Sequence, residues 1–246
     1  MIDNKTLSEY CHDYLDVDTF DDYCPNGLQI EGRQQIRKII AGVSVNQDLI
    51  ERVIDEKADA LFVHHGLFWQ NESLVITGIK KNRIKILLEK NINLFAYHLP
   101  LDAHLIVGNN IQLAMHLNIV NPTPIGDTLV WQGEVKLSLI EVSQLVQDIT
   151  QRIPLVFGDL NQQIKKIAWC TGDAQSYIKH AINIGADCFI TGEISEQTPA
   201  IAKENNIAFI SAGHYATERY GVQALCQHLS EKFNVQYQFI DIDNIV

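Results

Sequence analysis

The chain of 246 residues contains 46% hydrophobic and 20% charged residues, which is enough apolar side chain for one or two packed domains and excludes long disordered segments. Its net charge of −11 argues against a nucleic-acid-binding protein, because such a surface needs a basic face. The five cysteines form no Cys-x-x-Cys pair, and neither a signal peptide nor an apolar run of the roughly 20 residues of a membrane helix is present, so we expect a cytoplasmic protein with no membrane partner.

Strand-like and helix-like stretches alternate in the first half of the chain. Leu49, Ile50 and Val53, for example, recur at helical spacing. The pattern predicts strands at 38–43, 60–63 and 93–97, and helices at 47–57 and 82–90. This βαβαβ order predicts a largely parallel sheet with helices on its faces.

A similar pattern recurs 128 residues further along the chain. Residues 37–65 align without gaps with residues 165–193, and seven of the 29 positions are identical, among them Asp59 and Asp187. The alternative is that any two βαβ units resemble one another. We predict an α/β fold of two related units, 1–127 and 128–246, with mainly parallel or mixed sheets covered by helices and a pseudo-twofold internal duplication. The turn-rich stretch 122–127 is predicted to link them.

Histidine side chains gather where the predicted strands end. His64 and His65 close one strand, and His98 and His214 follow two others. Ligands of open α/β sheets bind at this carboxyl edge, so the clustering predicts a catalytic or metal-binding site. Because adjacent side chains on a strand point apart, His64 and His65 can bind two different atoms of one cluster.

Two carboxylates accompany these histidines. Glu218 lies four residues after His214, at the start of a helix predicted over 216–229, so the two side chains can converge as a ligand pair. The alternative for Glu218 is a favourable interaction with the helix dipole. Pro100 predicts an extended loop over 98–102, from which Asp102 can turn back onto a metal, and the alternative for Asp102 is simple turn chemistry.

Four short motifs follow one another along the chain. They are Pro-Asn-Gly-Leu-Gln at 25–29, Val-His-His-Gly at 63–66, the loop 98–102, and Gly-His-Tyr-Ala-Thr-Glu at 213–218. Together they resemble the Nif-three-like family of dinuclear-metal-centre proteins, which includes GTP cyclohydrolase 1 type 2 homologues, and within it the compact YbgI-like branch. The resemblance covers essentially the whole chain. The first motif by itself indicates only a turn.

The resemblance implies two divalent metal ions per chain, placed between the two units. His64 and Asp102 then bind the first ion, His65 and His214 bind the second, and Glu218 bridges them. The mixed imidazole and carboxylate donors fit zinc, iron, manganese or nickel equally well. The resemblance also implies a homohexameric ring, a trimer of dimers.

The family label implies a metal-dependent hydrolase that opens the purine ring of GTP, a small-molecule substrate. Two further residues are candidates for catalysis. His98 shares a strand end with Asp102 and is a candidate proton carrier or outer partner. Glu193 occupies the repeat position of His65 and is a candidate base or outer ligand, with a helix N-cap as its alternative. The alternative function is non-enzymatic: a metal-binding, metal-delivery or scaffold protein that forms a ring.

Overall fold

The computed structural model describes residues 1–246 as thirteen strands and ten α-helices. The strands are β1 (Ile2–Asp3), β2 (Gly27–Ile30), β3 (Gln35–Ile36), β4 (Lys38–Ala41), β5 (Ala60–Val63), β6 (Asn93–Ala96), β7 (Val120–Pro124), β8 (Trp131–Ser138), β9 (Leu155–Phe157), β10 (Gln163–Trp169), β11 (Cys188–Thr191), β12 (Ala208–Ser211) and β13 (Gln236–Phe239). The helices are α1 (Asn4–Tyr14), α2 (Gln47–Asp55), α3 (Gly78–Glu89), α4 (Leu99–Ala103), α5 (Asn109–His116), α6 (Leu139–Thr150), α7 (Ile178–Asn183), α8 (Thr198–Glu204), α9 (His214–Thr217) and α10 (Arg219–Phe233). None of these helices combines the length and the hydropathy that crossing a membrane requires.

The chain divides into two compact units whose boundaries differ from those predicted from sequence. Unit 1 comprises Met1–Gly108 and Gly221–Asp243, and unit 2 comprises Asn109–Tyr220 and Asn244–Val246. The predicted division into 1–127 and 128–246 therefore differs from the observed one in two places. Residues 109–127 belong to unit 2, and residues 221–243 belong to unit 1. Strand β13 pairs in parallel with β4, so the C-terminal segment returns to the first sheet. Strand β7, which covers part of the predicted linker, pairs with β8 at a sheet edge, where proline is tolerated.

Unit 1 is built on a five-stranded mixed sheet. Its order is β13-β4-β5-β6-β2, with β2 antiparallel and the other four strands parallel. The predicted strand at 60–63 is confirmed as β5, and its four residues are all buried, as expected for a strand covered on both faces. Asn46 caps α2 by accepting a hydrogen bond from the backbone N–H of Leu49 at 2.8 Å.

Unit 2 is built on a six-stranded mixed sheet. Its order is β7-β8-β10-β11-β12-β9, and β10, β11 and β12 are parallel. A capping box begins α6, in which the backbone N–H of Ser138 donates to Glu141 Oε2 at 2.7 Å. The α/β prediction with mixed sheets and covering helices is thus confirmed in each unit.

Matching hydrogen bonds occur at the amino ends of the two sheets. The Asp59 carboxylate accepts from the backbone N–H of Lys38 at 3.1 Å, and the Asp187 carboxylate accepts from that of Lys166 at 2.8 Å. Each aspartate N–H also donates to the carbonyl of the same lysine, at 2.9 and 2.8 Å. These contacts lie 128 residues apart and support our proposal that the two units arose by duplication.

Candidate metal centre

His64 and His65 follow β5 at the carboxyl edge of the unit 1 sheet, and each imidazole is held through Nδ1. The Nδ1 atom of buried His64 lies 2.9 Å from the carbonyl oxygen of Tyr97, which can only accept, so this nitrogen carries the hydrogen. His65 Nδ1 lies 2.8 Å from Ser44 Oγ. The two rings are 4.6 Å apart at 48°. With Nδ1 engaged, Nε2 is the nitrogen of each ring that can bind a metal ion.

Asp102 lies on a short helix, and the expectation of an extended loop over 98–102 is wrong. Pro100 is in the first turn of α4, where its missing N–H and fixed φ are tolerated. The helix turns the buried Asp102 side chain towards β5, and its Oδ1 lies 3.5 Å from His64 Nε2. This places a carboxylate oxygen next to the imidazole nitrogen that can bind a metal ion.

His98 is held by a buried network that the sequence did not reveal. Its Nδ1 lies 2.9 Å from Asp22 Oδ1, and its backbone N–H donates to Asn26 Oδ1 at 2.7 Å. The other carboxylate oxygen of Asp22 accepts from Asn26 Nδ2 and from the backbone N–H of Leu99, both at 2.9 Å. With Nδ1 fixed in this way, Nε2 of His98 is the nitrogen available for proton exchange. The candidate donor atoms of His64, His65 and His98 lie within 4.8 Å of one another.

We expect Asp22→Asn to destabilise the protein at neutral pH. Burial raises the pKa of Asp22, but hydrogen bonds from His98 and Asn26 outweigh it and lower that pKa to about 2. Because the folded pKa is depressed, the carboxylate contributes stability above its unfolded pKa near 4, about 2 kcal/mol, and this is lost as the pH falls towards 2.

Urea denaturation of wild type and Asp22→Asn across a pH series measures this contribution. The variant should have the lower free energy of unfolding at pH 7 and a flatter pH dependence below about pH 4. Asp21→Asn, at an exposed neighbouring position, is the matched control. Parallel pH profiles for wild type and Asp22→Asn would contradict the role given to this carboxylate.

In unit 2, the imidazole of His214 lies between two carboxylates. Its Nδ1 is 2.7 Å from Glu193 Oε1, and its Nε2 is 3.2 Å from Glu218 Oε2. Burial lowers the pKa of His214, but hydrogen bonds and charge from Glu218 and then Glu193 outweigh it and raise that pKa to about 10. The alternative of a helix N-cap for Glu193 does not hold, because Gln197 is the N-cap of α8. Glu193 instead orients His214.

Glu218 lies at a break between two helices, so the continuous helix predicted over 216–229 is wrong. Helix α9 ends at Thr217 and α10 begins at Arg219, and Glu218 between them is 3% exposed. Gly172 faces this carboxylate. Its φ is +73°, and a Cβ there would overlap Glu218 Oε1 and lie 3.3 Å from His214 Nε2. The site thus needs a glycine that no sequence motif indicated.

The turn at Pro25–Gln29, for which no chemical role is predicted from sequence, supports the end of β5. Gln29 Oε1 accepts from the backbone N–H of Leu67 at 2.8 Å, and Gln29 Nε2 donates to the carbonyl of Pro25 at 2.9 Å. A Cβ at Gly66 would overlap the Gln29 amide, so a larger residue at position 66 would displace this amide from its contacts. Through Gln29 and Asn26, the turn therefore holds both the segment after His64 and His65 and the segment that begins at His98.

The donors of each unit fit a divalent metal ion. Unit 1 brings together His64, His65, His98 and Asp102, and unit 2 brings together Glu193, His214 and Glu218. Imidazole nitrogens backed by a carboxylate, a carbonyl or a hydroxyl at Nδ1 are the usual arrangement of metal-binding histidines. Mixed nitrogen and oxygen donors suit zinc, iron, manganese and nickel.

Comparison with known proteins identifies the family. The family model DUF34/NIF3 (NGG1p interacting factor 3) matches residues 2–245. A protein of Pseudomonas aeruginosa named GTP cyclohydrolase 1 type 2 homolog is 47% identical over 246 residues, which cover 98% of this chain and 97% of that protein. The solved structure of protein ybgI, described as of unknown function, has a TM-score of 0.96 at 43% identity and full coverage of both chains. The crystal structure of TTHA1606 from Thermus thermophilus also covers both chains fully, with a TM-score of 0.92 at 35% identity. The chain therefore belongs to the DUF34/NIF3 family.

Proposed function

We propose that this chain is a dinuclear metal-binding protein and a metal-dependent hydrolase that acts on a nucleotide or purine ring. On the family resemblance, His64 and Asp102 would hold one divalent ion, His65 and His214 would hold the other, and Glu218 would contribute its carboxylate to both. On the family resemblance, we also propose a homohexamer, a trimer of dimers, which light scattering would detect.

One observation carries this proposal. All three histidines assigned as ligands use Nδ1 for an anchoring contact and present Nε2, with anchor distances of 2.9 Å for His64, 2.8 Å for His65 and 2.7 Å for His214. Histidines placed by packing alone have no reason to share one orientation. Anchoring through Nδ1, with Nε2 left for the ion, at the carboxyl ends of strands is an arrangement common among metal-binding histidines.

The chain's own residues have distinct parts in the proposed reaction. Bound divalent ions would supply Lewis-acid activation of water at neutral pH. Glu193 fixes the orientation of His214, and Asp22 fixes that of His98. Because the Nδ1 hydrogen of His98 is engaged by Asp22, its Nε2 is the atom that exchanges a proton with substrate or solvent.

The proposed substrate class comes from the relatives. The Pseudomonas aeruginosa protein and an Escherichia coli K12 protein that is 43% identical over 244 residues are both named GTP cyclohydrolase 1 type 2 homolog. A reaction of that type hydrolyses a C–N bond of the purine ring. We extend that class of substrate to this chain as a proposal.

Elemental analysis of the purified protein, followed by a substrate panel with the metal found, tests the proposal. We expect two divalent ions per chain and hydrolysis of a purine nucleotide that requires them. Metal well below one ion per chain, not restored by added metal, would overturn the dinuclear assignment. Full metal occupancy with no turnover of any nucleotide or phosphoester would overturn the hydrolase and favour metal storage or delivery.

A further inference from the structure

Two aromatic rings flank the histidines of unit 1. The Trp69 ring centroid lies 5.8 Å from that of His65 and 5.2 Å from that of His98. Tyr23 lies 4.9 Å from His98 and 6.0 Å from Trp69. Trp69 and Tyr23 stand at 87° and 74° to the His98 ring, but at only 32° to each other. The two rings therefore form one side of the space around both imidazoles.

Both rings are at least partly accessible to solvent. Tyr23 is 50% exposed and Trp69 is partly exposed, whereas Phe62, Phe95 and Tyr97 are fully buried in the core. The segments that carry the two rings are joined by a hydrogen bond of 2.6 Å, donated by the backbone N–H of Gln70 to the carbonyl of Tyr23. Folding has thus fixed two large apolar rings next to the candidate donors rather than burying them.

We infer that Tyr23 and Trp69 form a stacking surface for a planar heteroaromatic base, and this inference rests on the proposed hydrolase function. Aromatic side chains bind bases through ring faces, with little dependence on which base is present. Aromatic pairs have centroids about 4.5–7 Å apart, and the edge-to-face contacts of Tyr23 and Trp69 with His98 fall in that range. A base stacked on either ring therefore lies next to a ring that itself contacts the His98 imidazole.

The charges nearby favour recognition of the base over recognition of phosphates. Asp21, which is exposed, and Asp22 directly precede Tyr23. Lys80 is engaged by Glu72 at 3.2 Å and lies 4.9 Å over the Phe68 ring, so part of its charge is already neutralised. With a net charge of −11 on the chain, a triphosphate gains little here. We therefore expect guanosine to bind at least as tightly as GTP in the absence of metal.

Intrinsic fluorescence offers a direct readout. The chain has three tryptophans, and the other two, Trp131 and Trp169, are 2% and 0% exposed. Guanosine titrated into the full-length, metal-free protein should quench the emission in a saturable way, and Trp69→Phe should remove that quenching. Equilibrium dialysis with guanosine then gives the affinity of every variant.

Tyr23→Leu is expected to weaken guanosine binding by roughly 5- to 150-fold, the range for loss of one stacked ring, whereas Tyr23→Phe should bind like wild type. Tyr177→Leu is the matched control, since Tyr177 is 40% exposed in unit 2, and it should leave binding unchanged. Equal affinities for Tyr23→Leu and Tyr177→Leu, or no guanosine binding by wild type, would overturn the stacking surface. These binding assays contain no metal and therefore test the stacking surface separately from the metal centre. If elemental analysis found no metal but guanosine still bound, only the proposed hydrolase function would be contradicted.

Discussion

Glu218→Gln is expected to weaken metal binding at least about 100-fold while preserving the fold, because it removes the charge of the proposed bridging ligand but keeps its shape. The side chain is 3% exposed, and its Oε2 lies 3.2 Å from His214 Nε2. Its charge contributes to raising the pKa of His214 to about 10, so the Glu218 carboxylate favours a positive charge beside it. A neutral amide cannot supply that attraction to a divalent ion.

Thermal unfolding with and without metal measures the effect. A ligand that binds only the folded state stabilises it by about 2.7 kcal/mol at 100 times its Kd, so metal should raise the Tm of wild type and not that of Glu218→Gln. Glu204→Gln, at an exposed position on α8, is the control and should respond like wild type. An unchanged metal-induced rise in Tm for Glu218→Gln would exclude Glu218 as a ligand.

Local patterns predicted which strand ends carry the candidate donor residues. The run Ala60–Val63 is apolar throughout, so the strand and the histidines that follow it could be placed from the sequence alone. The carboxyl-edge rule then placed His98 and His214 at equivalent points of their sheets. These inferences need only neighbouring residues and the period of a strand or helix.

Features that depend on contacts distant in sequence could not be predicted. Asp22 holds His98 across 76 residues of chain, and no spacing rule connects them. The C-terminal strand β13 joins the first sheet, although its own sequence does not indicate which sheet it joins. Pro100 has the opposite effect to the one inferred, because a proline that breaks a helix interior is compatible with its first turn.

Gly172→Ala is expected to destabilise the protein by about 2–5 kcal/mol and to impair metal binding as well. A methyl group at φ +73° carries a conformational cost of about 1–2 kcal/mol, and overlap with the buried Glu218 carboxylate adds about 1–3 kcal/mol. The carboxylate can escape the overlap only by moving from its place beside His214. The effect on metal binding should therefore exceed what the loss of stability explains.

Gly185→Ala separates the two contributions. Gly185 has a similar φ of +68°, but a Cβ there meets nothing within 4 Å, so this variant bears the conformational cost alone, about 1–2 kcal/mol. In urea denaturation, the free energy of unfolding should be highest for wild type, lower for Gly185→Ala and lowest for Gly172→Ala. In calorimetric titration, only Gly172→Ala should lose metal affinity. If the two variants were equally stable and bound metal equally well, Gly172 would be required by its backbone conformation alone, and the close fit between Gly172 and Glu218 would have no part in forming the site.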